Sequence, residues 1–166
     1  MSRIRKGAER VGRDPKKIYV LGMTAFHLTK EGEKLETPKV RKAVGAFVTS
    51  SSNIYAFSCP NPNDLPADLR SDIVAYKTAY RTPEESIETR HLKLYSDYLR
   101  GFKKEHEPLV TEKMIRATTL TGTREEIIEA INNMKRAGIK QVAIQPTNDP
   151  RGTIESFSRE IMRKMK

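Results

Sequence analysis

Residues 117–146, ATTLTGTREEIIEAINNMKRAGIKQVAIQP, read as a capped amphipathic helix that passes through one glycine into a short apolar strand. Thr123 stands as N-cap with Glu126 three residues on, the spacing of a capping box, in which each residue satisfies an otherwise orphaned backbone donor of the other. Ile127, Ile131 and Met134 follow at i, i+4 and i+7, and Ile128 and Ala130 widen the stripe, so one helix face is apolar. Gly138 can take the left-handed conformation that closes a helix. The next segment, Gln141–Gln145, has a Val142-Ala143-Ile144 centre that does not alternate. A continuous apolar run predicts cover on both faces, as in a parallel sheet or barrel with helices outside. Pro146 closes the strand, and Asn148-Asp149-Pro150 supplies an N-cap and a first-position proline for another helix. Helix, strand, helix is one unit of a parallel α/β architecture.

Working outward, Ile4, Ala8 and Val11 fall at helical spacing, and Gly12 with Arg13-Asp14-Pro15 stops that helix and turns the chain. Ile18–Phe26 reads as a strand apolar on both faces, with Gly22 marking a bulge or a close backbone approach. After a polar loop, Thr37-Pro38 begins a helix with Val40, Val44, Phe47 and Val48 as its buried stripe. The stretch SSSNIYAFSCPNPNDLP (50–66) reads as a structured excursion, because Ile54, Tyr55 and Phe57 need covering. Leu69, Ile73, Tyr76 and Tyr80 recur at helical spacing. A second capping box, Thr82-Pro83-Glu84-Glu85, leads a long helix bearing Leu94, Tyr95, Tyr98, Leu99 and Phe102, with Gly101 near its end. A shorter helix runs from Thr111 through Met114 and Ile115. Helices outnumber strands, two strands are legible, and no internal repeat or domain boundary interrupts the 166 residues, which read as a single domain.

Charged residues make up 31% of the chain against 37% hydrophobic, the balance of a soluble domain. No apolar run reaches the roughly 18–20 residues of a membrane span, and the N-terminus has no signal-peptide centre, so a cytoplasmic location is expected. A single cysteine, Cys59, excludes an internal disulfide and a thiolate metal cage, and its loop-like setting lacks a neighbouring base. The net charge of +10 raises the possibility of a nucleic-acid partner. Its distribution argues against one: residues 1–17 carry seven Lys or Arg and two acids, residues 159–166 carry four and one, and the middle is nearly balanced. No aromatic residues interleave with the terminal charges as a stacking platform would require.

Three features in this order, GAERVGRDPKKIYVLGM (7–23), MIRATTLTGTREEIIEAINNMKRAGIKQVAIQP (114–146) and a final helix, resemble the C-terminal half of the bacterial-luciferase-like flavin-dependent oxidoreductases. The resemblance is close at residues 5–26 and 111–162 and looser between, where family members carry a helical insertion, here about 39–110. It implies a partial (β/α)8 TIM-type barrel, and at 166 residues the chain is shorter than the about 250 typical of that fold. The resulting expectation is a truncated barrel domain whose strand edges and apolar faces lead it to self-associate as a homo-oligomer or to need the missing barrel half. The resemblance implies an oxidoreductase or monooxygenase acting on a small-molecule substrate, with FMN or a deazaflavin coenzyme supplying the hydride chemistry.

Barrel active sites lie at the C-terminal ends of strands, which makes His27, Gln145 and Pro146 the pocket candidates. His27 could touch flavin or substrate and exchange a proton, against the alternative of an ordinary loop histidine. Gln145 could orient a flavin edge or a substrate carbonyl, or cap a backbone group. The family's glycine-rich or serine-bearing segment for the flavin phosphate has no counterpart here, and the nine glycines form no GxGxxG run. Flavin is therefore not expected to stay with the chain through purification. His27, His91 and His106 are scattered, with no zinc-binding spacing, so no metal is expected. Two other readings compete with the enzyme: a non-enzymatic basic interaction or nucleic-acid-binding module, and a complete small α/β protein whose likeness to a barrel is local.

Overall fold

The computed structural model of the chain describes residues 2–59, 61–80, 86, 88–89, 92, 98–99 and 104–165, which form helices and four short strands. The elements are α1 (Ser2–Arg10), β1 (Leu21–Thr24), β2 (Phe26–Leu28), α2 (Pro38–Ser58), α3 (Arg70–Tyr80), α4 (Glu112–Thr118), β3 (Leu120–Gly122), α5 (Arg124–Arg136), β4 (Gln141–Ile144) and α6 (Pro150–Ser156). Past α6 the helical path continues as a π turn, Phe157–Ile161, and a 3-10 turn, Met162–Lys164.

The capping box forms in full. Glu126 N–H donates to Thr123 Oγ1 at 3.3 Å, and Thr123 N–H donates to Glu126 Oε2 at 2.8 Å. Gly138, at φ 96°, ends α5 in the conformation that a side chain would resist. Asp149 caps α6 by accepting from Gly152 N–H at 3.0 Å, and Pro150 follows at the first helical position.

β1 pairs with β4 in parallel, from Leu21↔Gln141 to Thr24↔Ile144, and β2 pairs with β3 in parallel, from Phe26↔Leu120 to Leu28↔Gly122. Thr24 C=O accepts from Gln145 N–H at 2.8 Å, and Ala25 C=O accepts from Leu120 N–H at 2.9 Å. Successive carbonyls of an extended chain point to opposite sides, so β4 and β3 flank the β1–β2 segment on opposite edges. The same alternation divides the core. Ala25 packs with Val40, Val44, Val48, Tyr76 and Ile115 under α2, α3 and α4, whereas Phe26 packs with Leu120, Ile127 and Ile161 under α5 and the C-terminal helical path. The strands thus form a middle layer between two helical layers.

Four expectations change. The strand expected over Ile18–Phe26 is two, β1 and β2, and its outward face is open: Tyr19, Leu21 and Met23 are 63%, 49% and 51% exposed. Gly22 makes no bulge, since it sits in regular register with Val142 and packs at ordinary distance against Ile139. β3 forms in a stretch where the sequence shows no strand. The excursion at 50–66 begins as helix, with α2 running on to Ser58. Its buried hydroxyls stay satisfied because Thr49, Ser50 and Ser52 donate to Gly45, Ala46 and Val48 carbonyls at 3.0, 2.8 and 2.6 Å. The described residues form a mixed α/β layer; a closed eight-stranded ring is not among them. The capping box at 82–85, His91 and Leu94, Tyr95, Gly101 and Phe102 of the long helix lie outside the described residues. Tyr98 and Leu99 are in a turn, with Leu99 at φ 57°.

Candidate functional site

The C-terminal ends of β2 and β4 converge on the start of α2 and the start of α6. Thr147 Oγ1 donates to Ala43 C=O at 2.6 Å and ties the segment after β4 to the second turn of α2. Between these elements lies a cavity of about 360 Å³, with Phe26 and Leu28 as apolar wall and His27, Lys39, Lys42 and Asp149 as its charged or titratable groups. Its volume is at the small end of the range for ligand sites.

His27 is the middle residue of β2, paired with Thr121 rather than following the strand as the sequence suggests; it is half-buried, and its Nε2 is buried with no hydrogen-bond partner among the described residues. Burial, and after it the Lys39 ammonium, holds the imidazole below its ordinary range, against the weaker upward pull of Glu33. The ring is thus kept neutral near pH 7, with one nitrogen able to donate or accept.

The opening of α2 concentrates positive charge. Lys39, Arg41 and Lys42 lie in its first turns, with no acid in the first turn. Cations here oppose the helix dipole, whose positive end is the N-terminus. Outside the helix, Glu33 pairs with Lys39 at 3.2 Å and Glu36 with Arg41 at 3.7 Å. Glu33 also accepts from Lys30 N–H at 3.0 Å, which is the main reason its carboxyl titrates below the usual range. Lys42 has no carboxylate partner among the described residues.

Of the three sequence candidates, His27 lines this cavity and Gln145 and Pro146 do not. Gln145 N–H completes the ladder to Thr24, and Gln145 and Pro146 are both half-buried. Lys39, Lys42, Asn148, Asp149 and Thr153 also line the cavity. The signal for the lysines is present in the sequence: a Thr-Pro helix start followed by three cations and no acid. A second cavity, about 310 Å³, lies on the open side of β1 against Met23, Ser50, Ser51 and Tyr98. His106 pairs with Glu105 at 3.5 Å in a 3-10 turn, and Cys59 has a half-buried free thiol while its backbone N–H closes α2 by donating to Tyr55 C=O at 3.3 Å. Among the described residues no three His, Cys, Asp or Glu side chains cluster as metal ligands, and no helix is long and apolar enough to cross a membrane.

The family model for luciferase-like monooxygenases matches residues 1–141. The match takes in His27, Lys39 and Lys42, together with the capped helix that leads to β4.

Proposed function

The chain belongs to the luciferase-like monooxygenase family, and from that premise we propose that it contributes to a flavin- or deazaflavin-dependent oxidoreductase site in which the His27 cavity receives a small-molecule substrate. The family as a whole uses flavin or deazaflavin cofactors. One observation carries the reading for this chain: a titratable side chain with an orphaned, buried nitrogen lines a cavity at the C-terminal ends of parallel strands.

The residues present fit the reacting end of such a ligand. The His27 ring lines the cavity, and a rotation of the ring would bring its buried, unpartnered Nε2 to a ring nitrogen, a ring carbonyl or a substrate oxygen, whereas no glycine-rich turn is available for a nucleotide phosphate. When bound, the flavin supplies the hydride or oxygen chemistry. The chain's own part is positional and electrostatic. Phe26, Leu28 and Ala43 keep water from one wall, and the neutral His27 holds or passes a proton at Nε2.

Fluorescence titration of FMN and of a deazaflavin with the purified chain tests this. Saturable quenching of one of them, weakened several-fold in His27→Ala, is the expected outcome, at an affinity low enough for the cofactor to be lost on purification. No quenching of either would remove the reading for this chain. We further propose that a second copy covers the open strand edges, a reading supported by the exposed face of β1.

A further inference from the structure

The excess positive charge lies near the two ends of the sequence, and the fold brings those ends together. Residues 10–17 turn from α1 toward the start of β1, and residues 134–141 turn from α5 into β4. Lys140 Nζ donates to Lys16 C=O at 3.3 Å and joins the two turns. Met162 and Met165, at the end of the C-terminal helical path, share a cavity with Gly138 and Ile139. Three segments thus meet at the N-terminal ends of β1 and β4. Residues 10–17 carry four Lys or Arg and one acid, 134–141 three and none, and 161–165 two and none. None of these cations has a carboxylate partner among the described residues, whereas ion pairs such as Glu33–Lys39 and Arg151–Glu155 mark the opposite end of the strands. Helix dipoles account for cations in the last turns of α1 and α5. They do not account for Arg13 or Lys140 in the turns, nor for the scarcity of acids.

The centre of this surface is apolar. A cavity of about 660 Å³ is lined by Ile131, Ile139, Val142, Phe157, Met162 and Met165, with exposed Lys135 and Lys140 beside them. Val11 and Met162 are 75% and 62% exposed at the same end. Cations around an apolar centre match a partner that offers negative charge and hydrocarbon together. A nucleic acid offers the charge, but it would set phosphate and sugar against the cavity, and among the described residues no succession of exposed aromatic rings stands between the cations to take its bases.

We propose that the N-terminal end of the sheet is a docking surface for an anionic phospholipid bilayer. The cations meet the headgroups, while Val11, Met162 and the apolar cavity take up the adjoining acyl chains. The His27 cavity lies at the other end of the strands and stays open to water. Each cation is worth about fivefold in affinity, and salt screens that attraction but not the apolar burial.

Flotation of the purified chain with vesicles of phosphatidylcholine alone, and of equal parts phosphatidylcholine and phosphatidylglycerol, tests the proposal. The chain should float with the anionic vesicles and stay behind with the neutral ones. Added salt should weaken the binding without abolishing it. Lys135→Gln/Lys140→Gln should weaken it by about tenfold or more. Lys30→Gln/Arg151→Gln, which removes the same charge from the other end of the strands, should leave it unchanged. Val11→Ser/Met162→Ser should remove the salt-resistant part. All of these positions are exposed, and circular dichroism checks that each variant folds. No flotation, equal flotation with neutral vesicles, equal losses in the two charge variants, or binding that salt abolishes would overturn the proposal. A gel shift with duplex DNA runs beside it, and salt-sensitive DNA retention without flotation would assign the surface to nucleic acid instead.

Discussion

His27 gives the site a pH dependence whose sign is fixed by its environment. In the unfolded chain it titrates near its ordinary value of about 6.5, and in the folded chain burial and Lys39 place it lower. Between those two values the unfolded state binds a proton that the native state does not, so stability falls as pH drops from about 6.5 through the folded value and then levels. Above about 6.5 this contribution is flat. Urea unfolding of the wild-type chain and of His27→Gln across this range should show the extra slope in the wild type only; parallel curves would mean the ring is not desolvated. A second residue, Tyr76, tests the core. Its hydroxyl donates to Thr49 C=O or Asn53 Oδ1, each at 3.0 Å, from a fully buried ring. Tyr76→Phe keeps the packing and removes the donor, for an expected loss of about 1–3 kcal/mol in denaturant unfolding. Sequence alone brings His27 forward because it directly follows the apolar run Ile18–Phe26, although in the fold it is the middle residue of β2. The run of cations after Thr37-Pro38 is visible in the sequence too, but that Lys39 and Arg41 have carboxylate partners while Lys42 does not is seen only in the structure.

At the scale of the element, the segment from β3 to β4 combines legible and hidden features. The capping box and the glycine stop are local chemistry, so α5 and β4 can be read from their own residues. β3 cannot. Leu120–Gly122 holds no alternation and ends in Gly-Thr, and it becomes a strand because Ala25 C=O receives Leu120 N–H and Gly122 C=O receives Thr29 N–H at 2.8 Å, contacts almost a hundred residues away in sequence. For the same reason the serine run of α2 is hard to read. Its hydroxyls are helix-compatible only because they bond back to carbonyls within a buried environment. Gly122 links β3 to the cap. A Cβ there would stand 2.5 Å from Glu126 Oε2, the oxygen that holds Thr123 N–H and whose carboxylate also meets Arg116 at 3.4 Å. Gly122→Ala should push that carboxylate away and cost about 1 kcal/mol, similar to Thr123→Ala. In the double variant Gly122→Ala/Glu126→Ala the two effects should sum to less than their separate values, because both remove the same bond. Strict additivity in thermal or urea unfolding would show that the glycine acts independently of the cap.

The molecule as a whole is two helical layers around a sheet that stops short. β3 covers the β1–β2 segment only from Ala25 onward, so the edge and outward face at Tyr19, Leu21 and Met23 stay open, beside β4 whose outer edge is also unpaired among the described residues. Three exposed apolar side chains at alternate positions on a free strand edge form a surface suited to pairing. Net charge opposes it: two copies each at +10 repel over distances comparable with the Debye length. The proposed association therefore has a sign that distinguishes it from contact between charged patches. Added salt should strengthen it by screening the repulsion while leaving apolar burial intact, whereas ion-paired complexes weaken. Sedimentation velocity across protein concentration at low and high salt should show association that grows with both. Leu21→Lys/Met23→Lys places charge on the shared face and should return the chain to monomer, with the fold retained because both side chains are exposed in the single copy. A compact monomer at every concentration and salt level would mean that the open face of β1 is tolerated in water, and would remove the second copy from the functional reading while leaving the His27 cavity untouched.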